Sequence, residues 1–467
     1  MKAKKLVVPF LTAALAVSSL AGCNSNNSRQ ESSSEVISTE NESRAEQGDN
    51  GGTSKESEES EKESEKESER EPERDPEEEP SENPLLNALM NVVPAKHYDM
   101  ISQEDATAIT EFGVDVLKKS RENDSILVSP ISIFSALGMV ANGADNETLA
   151  QMEEVLGMPV DQINAYVKAY MNTLQENGAN KVLLANSIWT NDSARYTFSQ
   201  AVMDNIEKFY ASELINTVFS QDTKDEINKW IEEHTDYMIK NALDDLSPDV
   251  MMVLVNTLVF DAKWEDAYED DDLVEQIFTR EDKREEKVEF MSKCEEIYLC
   301  DENTTGFIKY YKDSKYAFVG LLPEEGMSMT DYINSLSGEK IQNLLNNRRY
   351  GDVYTLIPEF TKDYNKELSD VLIDLGMSDA FGNADFSKFT EEENGLRIGQ
   401  VIHQTHIEVN PKGTKAAAAT IVEKYESAAV CEPIPIYRVY LDRPFVYILL
   451  DCDQNLPLFI GTVEGIE

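Results

Sequence analysis

Cysteine is scarce in this chain, with five in 467 residues. They stand at Cys23, Cys294, Cys300, Cys431 and Cys452, with no C-x-x-C pair and no disulfide-framework spacing. That argues against a fold stapled by disulfides and leaves only a local Cys294–Cys300 bridge open. Histidine is scarcer still, with four: His97, His234, His403 and His406. His403 and His406 are three apart on a predicted strand, so they face opposite ways. With no acidic or thiol ligand at suitable spacing, no metal site is expected. Positive charge is the third shortage. The 42 Lys and Arg residues stand against 89 Asp and Glu, a formal net charge of -47. This excludes a nucleic-acid binder that works by neutralising phosphates.

The motifs of enzymes are also missing. There is no Gly-rich phosphate loop, no G-x-S-x-G elbow, and no pair of carboxylates set apart for acid–base work. Ser337-Gly338-Glu339-Lys340 fits S-x-x-K, as in penicillin-interactive enzymes. Its partners S-D-N and K-T-G are absent, and Lys412-Gly413-Thr414 has the wrong order. Neither turnover chemistry nor a cofactor is expected.

What is present begins with an export signal over residues 1–22. Lys2, Lys4 and Lys5 precede a mostly apolar run, Leu6 to Leu20, which ends in Leu20-Ala21-Gly22-Cys23. The ending resembles the lipobox of bacterial lipoproteins, in which cleavage falls before the cysteine and its sulfur carries a lipid. An ordinary secretory signal with an incidental cysteine is the alternative. Residues 23–90 read as a disordered linker, rich in Ser, Glu and Pro, with a run from Glu56 to Glu82 made almost entirely of Glu, Ser, Lys, Arg and Pro. At roughly 3 Å per residue, some 60 residues reach on the order of 150 to 200 Å when extended. A lipid on Cys23 and an extended linker together suggest a stalk holding a domain outside the cell membrane. A solvated tail is the plainer reading.

The folded domain is placed at residues 95–467. Helices are predicted at Asp105–Ser120, Ile131–Ala141 (with Ser129 as its cap and Pro130 in its first turn), Glu147–Leu156, Asp222–Lys240, Asp331–Leu345 and Leu368–Leu375. Strands are predicted at Ser125–Val128, Lys181–Trp189, Met251–Ala262, Tyr316–Leu322, Val353–Phe360, Leu396–Val409, Phe445–Leu450 and Leu458–Val463. Met251–Ala262 is apolar enough to be a central strand buried on both faces. Early helices and late strands indicate an α+β fold with large antiparallel sheets.

Val409 to Phe445 is unlike the rest. Gly413-Thr414 leads into Ala416, Ala417, Ala418 and Ala419, then a β-branched patch, small and polar residues, Pro433 and Pro435. One period-2 phase, Thr414, Ala416, Ala418, Thr420 and Val422, carries no charge; the other holds Lys415 and Glu423. Alanines are poor strand residues. The segment is therefore suited to entering a tight groove between strands rather than to resting in one.

Several motifs then converge on one family. They are Ser129-Pro130 and Ser132; Asn228-Lys-Trp-Ile-Glu with Thr235; Asn256 and Trp264 within VNTLVFDAKW; Pro358-Glu-Phe360; His403; Asp442-Arg-Pro-Phe445; and Phe459-Ile-Gly461. From about Tyr98 to the end the chain resembles a serpin. The resemblance implies the serpin fold: a large antiparallel or mixed main sheet, two further sheets, about nine helices and an exposed reactive-centre loop. It also implies a monomeric protease trap. A protease cleaves the loop, forms an acyl-enzyme, and is dragged across the molecule as the loop inserts into the main sheet. By the same resemblance, Gly413, Thr414 and Ala416–Ala419 form the hinge. Ser129, Ser132, Asn256 and His403 line the point where the sheet opens, and Trp264 packs where the loop enters. Counting from Gly413 puts the reactive bond at Ser427–Ala428, with Ala429 and Val430 marking later registers. Small residues there imply elastase-like or subtilisin-like serine proteases as targets, with cysteine proteases as a further class. Pro411 departs from the family, since a Glu is common there and the salt bridge it often makes is lost. Cys431, just past the bond, is either a redox-sensitive thiol or an incidental one. A serpin fold that binds without inhibiting is the alternative function, and the alanine hinge argues against it.

Overall fold

The computed structural model describes residues 4–6, 102–121, 125–174, 179–192, 196–390, 395–414 and 434–466. The linker, Cys23 and the loop residues from Lys415 to Pro433, including Ala416–Ala419, Ser427, Ala428, Ala429, Val430 and Cys431, lie outside the described residues.

Helices dominate the first part. Helix α1 (Gln103–Ser120) is closed at its start by a capping box between Ser102 and Asp105. Helix α2 (Pro130–Ala141) is buried along its whole length, as its apolar sequence requires. Ser129 stands at its N-cap, but its side chain does not cap the helix. Helix α3 (Asn146–Leu156) ends at Gly157, whose φ of 74° favours glycine. Helix α4 (Val160–Met171) was not expected, although Ile163, Tyr166, Val167 and Tyr170 are buried at helical spacing. Helices α5 (Gln200–Asn205) and α6 (Gln221–His234) follow. The expected helix to Lys240 stops at His234, because Asp236 and Tyr237 take left-handed backbone conformations. The expected helix Asp331–Leu345 is two, α7 (Met329–Ser335) and α8 (Gly338–Asn346), divided where Ser337 caps the second. Helices α9 (Ser369–Leu375) and α10 (Ser378–Phe381) come later in the chain.

Among the described residues the main sheet has seven strands: β1 (Lys4–Leu6), β3 (Asn180–Asn191), β4 (Glu213–Thr217), β5 (Met252–Lys263), β11 (Phe360–Glu367), β12 (Gln400–Asn410) and β13 (Gly413–Thr414). Their order is β1-β4-β3-β5-β13-β12-β11. Since β1 lies inside the segment read as an export signal, a chain cleaved before Cys23 would end at β4 on that side. Strand β5 is buried on both faces, as its sequence indicated. Leu254, Leu258, Phe260 and Ala262 belong to the main core. Val253 and Val255 belong to a smaller core beneath α6, with Ile227, Trp230, Ile231 and Ile402.

The remaining strands are β2 (Leu127–Val128), β6 (Leu273–Thr279), β7 (Glu285–Cys300), β8 (Thr304–Tyr310), β9 (Tyr316–Pro323), β10 (Arg349–Pro358), β14 (Ile436–Tyr440), β15 (Phe445–Asp451) and β16 (Leu456–Val463). The two further sheets foreseen are joined into one hydrogen-bonded path, because β7 is 16 residues long. It pairs with β6 along its first half, with β10 from Phe290 to Tyr298 and with β8 at its end. The expected strand Val353–Phe360 divides at Pro358–Glu359 between β10 and β11, which belong to different sheets. Cys294 and Cys300 both lie on β7 and are not joined by a disulfide, so the local bridge is not formed.

Candidate functional site

The main sheet has a seam between β5 and β12. Along Val253–Thr257 and Gln400–Gln404 these two strands pair in parallel. Towards the other end β13 stands between them, antiparallel to both. Thr414 lies opposite Ala262 on one side and Val409 on the other. The chain enters this slot by reversing at Pro411-Lys412. Gly413, at φ 154°, takes a backbone conformation that a side chain would strain. Two anchors hold the reversal: the Pro411 carbonyl accepts from Tyr268 N–H at 2.9 Å, and the Lys412 carbonyl accepts from Trp264 N–H at 3.1 Å. Proline loses nothing here, since its carbonyl makes the contact.

The closed part of the seam is crossed by a buried polar row. Asn186 of β3, Asn256 of β5 and His403 of β12 lie directly opposite one another. Each sits within an apolar strand, so each must find a partner. His403 Nε2 accepts from the backbone N–H of Ser129 at 3.1 Å. In the neutral ring Nδ1 then carries the proton and donates to Asn256 Oδ1 at 2.9 Å. That oxygen also accepts from Ser132 Oγ at 3.1 Å, while Asn256 Nδ2 donates to the Ile402 carbonyl at 3.0 Å. Ser129, Ser132, Asn256 and His403 are fully buried. Burial pulls the His403 pKa down to about 3, outweighing an opposing backbone interaction with Leu127. Ser129 contributes its backbone; its hydroxyl is buried with no hydrogen-bond partner among the described residues. Asn186, which donates to Ser135 Oγ at 3.0 Å, extends the row and was not singled out from sequence. Its signal was an amide in the apolar run KVLLANSIW.

The open end of the seam is built around Trp264. Its indole donates to the Asn410 carbonyl at 2.9 Å, and its ring stacks on Tyr311 at 4.3 Å between centroids. Tyr311 Oη in turn lies 2.5 Å from Thr414 Oγ1. Lys309 closes the other side. Its ammonium is fully buried, 2.8 Å from Glu295 Oε1 and 3.1 Å from the Asp266 carbonyl. It also lies over the rings of Tyr268 and Trp264, at 4.5 and 5.4 Å. Tyr311 and Lys309 were missed from sequence; a lysine at an inward position of the strand GFIKY was the available signal.

Other residues weighed for chemistry have structural partners. Ser337 Oγ caps α8 by accepting from Lys340 N–H at 3.0 Å, and Lys340 Nζ donates to Asn303 and Ser335. His406 faces away from His403 and pairs with Asp363 at 2.6 Å. No cluster of three or more potential metal ligands occurs among the described residues. Among the described residues of the seam there is no nucleophile–base pair. What it offers is mechanical: a slot between two strands, already occupied over two residues and closed below by a few identifiable bonds.

The family model described as "Serpin (serine protease inhibitor)" matches residues 107–465. An uncharacterized serpin-like protein of Thermococcus kodakarensis is 29% identical over 383 residues, covering 79% of this chain and 88% of that protein. Human Serpin B4 is also 29% identical, over 386 residues, covering 76% of this chain and 97% of that protein. Among solved structures, the thermophilic serpin tengpin in its native state aligns with a TM-score of 0.73 at 37% identity, covering 78% of this chain and 95% of that one. Tengpin in its latent state aligns with a TM-score of 0.68 at 34% identity, covering 79% and 99%.

Proposed function

The chain belongs to the serpin family, generally protease inhibitors, and from that premise we propose that it inhibits extracellular serine proteases as a suicide substrate. The supporting observation is the seam. With Thr414 already seated, each further loop residue has a defined place, one rung at a time along β5 and β12. Ala416 would arrive between Phe260 and Ile407, Ala418 between Leu258 and Thr405, Thr420 between Asn256 and His403, and Val422 between Leu254 and Val401. This is the uncharged phase, and it falls on the face that Leu254, Leu258 and Phe260 give to the main core. The small side chains suit a face that is already filled, where added bulk is costly. The other phase brings Lys415 between Asp261 and Glu408, two carboxylates on the opposite face.

Insertion moves β5 and β12 from about 4.8 Å apart to about twice that. The hydrogen bonds of Asn256 to His403 and to the Ile402 carbonyl must then break, with the short parallel ladder around them. Two antiparallel ladders replace it, which makes the inserted state a strand addition with a net gain of hydrogen bonds. A protease held as an acyl-enzyme at Ser427–Ala428, or one or two residues later, would be carried along. Serine and alanine at the bond suit elastase-like and subtilisin-like pockets.

Mixing the purified domain with pancreatic elastase or subtilisin tests this. A complex that survives SDS supports trapping, and N-terminal sequencing of the released peptide identifies the bond. Loop cleavage with no complex at either protease refutes it. The same reading places the protein on the outer face of a bacterial membrane through a lipid on Cys23, so that Cys23→Ser should move it from the membrane fraction to the medium.

A further inference from the structure

The hydroxyl pair between Tyr311 and Thr414 does something that neither the ladder nor the hinge glycine does. Thr414 is held in the slot by backbone pairing to Ala262 and Val409. Its side chain points into the core and meets the Tyr311 hydroxyl at 2.5 Å. Tyr311 cannot follow if Thr414 leaves. Its ring is fully buried, stacked on Trp264 at an interplanar angle of 9° and set edge-on to Phe260 at 5.1 Å. Trp264 is fixed in turn by the Asn410 carbonyl and by the Lys412 carbonyl on its backbone. Withdrawal of Thr414 would therefore strand one buried hydroxyl in an apolar site, where it costs more than an ordinary hydrogen bond contributes. Burial also holds the Tyr311 phenol far above its ordinary pKa, so it stays a neutral donor at every working pH.

We propose that Tyr311 is a positioning residue that pins the hinge at the first step of insertion. Thr414 already has the register that full insertion requires, so the bond does not oppose the forward movement. It opposes the reverse movement only. The resting protein is therefore a strand with its first two rungs closed, and insertion after cleavage starts from residue 415 without first having to nucleate. Nucleation is the costly part of adding a strand, because the ends are ordered before the ladder compensates them. This rests on the insertion reading above, and the test separates the two.

The first measurement uses the full chain with no protease. Amide hydrogen exchange is followed in peptides covering Val409–Thr414 and Ala262–Glu265. Tyr311→Phe keeps the stacked ring and removes the hydroxyl; Thr414→Val keeps the shape and removes the other partner. Each single variant should speed exchange in these peptides about 10-fold, the factor that corresponds to about 1.4 kcal/mol. The double variant, with neither hydroxyl left unmatched, should return most of the way to the parent. Unchanged exchange in both single variants overturns the proposal, whatever the inhibitory activity. The second measurement is the number of inhibitor molecules consumed per elastase or subtilisin molecule inactivated. It should rise several-fold in Tyr311→Phe while the rate of loop attack stays as in the parent. An unchanged ratio alongside faster exchange also overturns it, since the pin would then be structural only. If the parent forms no complex, the inhibitory reading fails, and the exchange result still decides whether the hinge is pinned.

Discussion

The row at the closed end of the seam makes a pH prediction with a calculable size. His403 accepts from Ser129 N–H through Nε2, and a protonated imidazole has no lone pair there. Charging the ring would turn that contact into two opposed donors, in a site with no exposure to water. The folded-state pKa is accordingly pulled down to about 3 from an ordinary 6.5. Between those values the unfolded chain holds a proton that the folded chain does not. Stability contributed by the neutral ring is complete above about pH 6.5 and is lost as pH falls towards 3. The slope is at most about 1.4 kcal/mol per pH unit. For a domain of about 360 residues, with an unfolding entropy near 2.1 cal/mol/K per residue, that is about 2 °C in Tm per unit.

Asp451 acts in the same pH range with the opposite sign. It is buried, and its pKa is raised to about 6, chiefly by desolvation. Between about 4 and 6 the folded chain keeps a proton that the unfolded chain has lost, so acidification favours folding through this group. The raw pH profile therefore mixes two opposed effects, and a comparison of variants is needed. His403→Gln retains neutral hydrogen-bonding capacity and does not titrate. Thermal unfolding of parent and variant from pH 8 to 4.5 carries Asp451 equally in both, so the difference isolates His403. The parent should lose about 3 °C relative to the variant between pH 6.5 and 4.5, beyond any constant offset. Parallel curves would refute the assignment of Nε2 as an acceptor locked by burial.

Two further outcomes follow from the same geometry. Asp451→Asn keeps one oxygen to accept from the Asp453 N–H, lets its amide N–H donate to the Tyr170 hydroxyl, and removes a charge that burial disfavours. It should raise stability at pH 8 by up to about 3 kcal/mol and leave it unchanged near pH 4, measured by urea unfolding at the two pH values. Ala418→Arg places a long charged side chain at the rung between Leu258 and Thr405 on the core face. It should turn a trap into a substrate, with loop cleavage at the parent's rate and the SDS-stable band reduced at least about 10-fold; an undiminished band would show that the phase is reversed.

Much of this site was legible in single residues. Asn256 within MMVLVNTLVF and His403 within Leu396–Val409 are polar groups in apolar strands, and that alone demands partners. What was not legible was which atoms they use. The hydroxyl of Ser129 looked like a helix cap, yet the residue serves through its backbone N–H. That choice depends on where α2 begins over the sheet, a long-range fact. Tyr311 and Lys309 were hidden for the same reason, since their meaning arises only where three separate segments meet Thr414. The position of the seam has a physical cause that no local pattern carries. On one side β5 pairs with β3 over eleven antiparallel positions, and on the other β12 pairs with β11 over eight. Between β5 and β12 there are only five, and they are parallel. A parallel ladder is slightly weaker per residue, and this one is also the shortest of the three. β13 already parts the other end of this line, so a strand entering the sheet would separate it there. The buried Asn256–His403 bond reinforces a parallel ladder of five positions, a length and direction it shares with the ladder between β3 and β4.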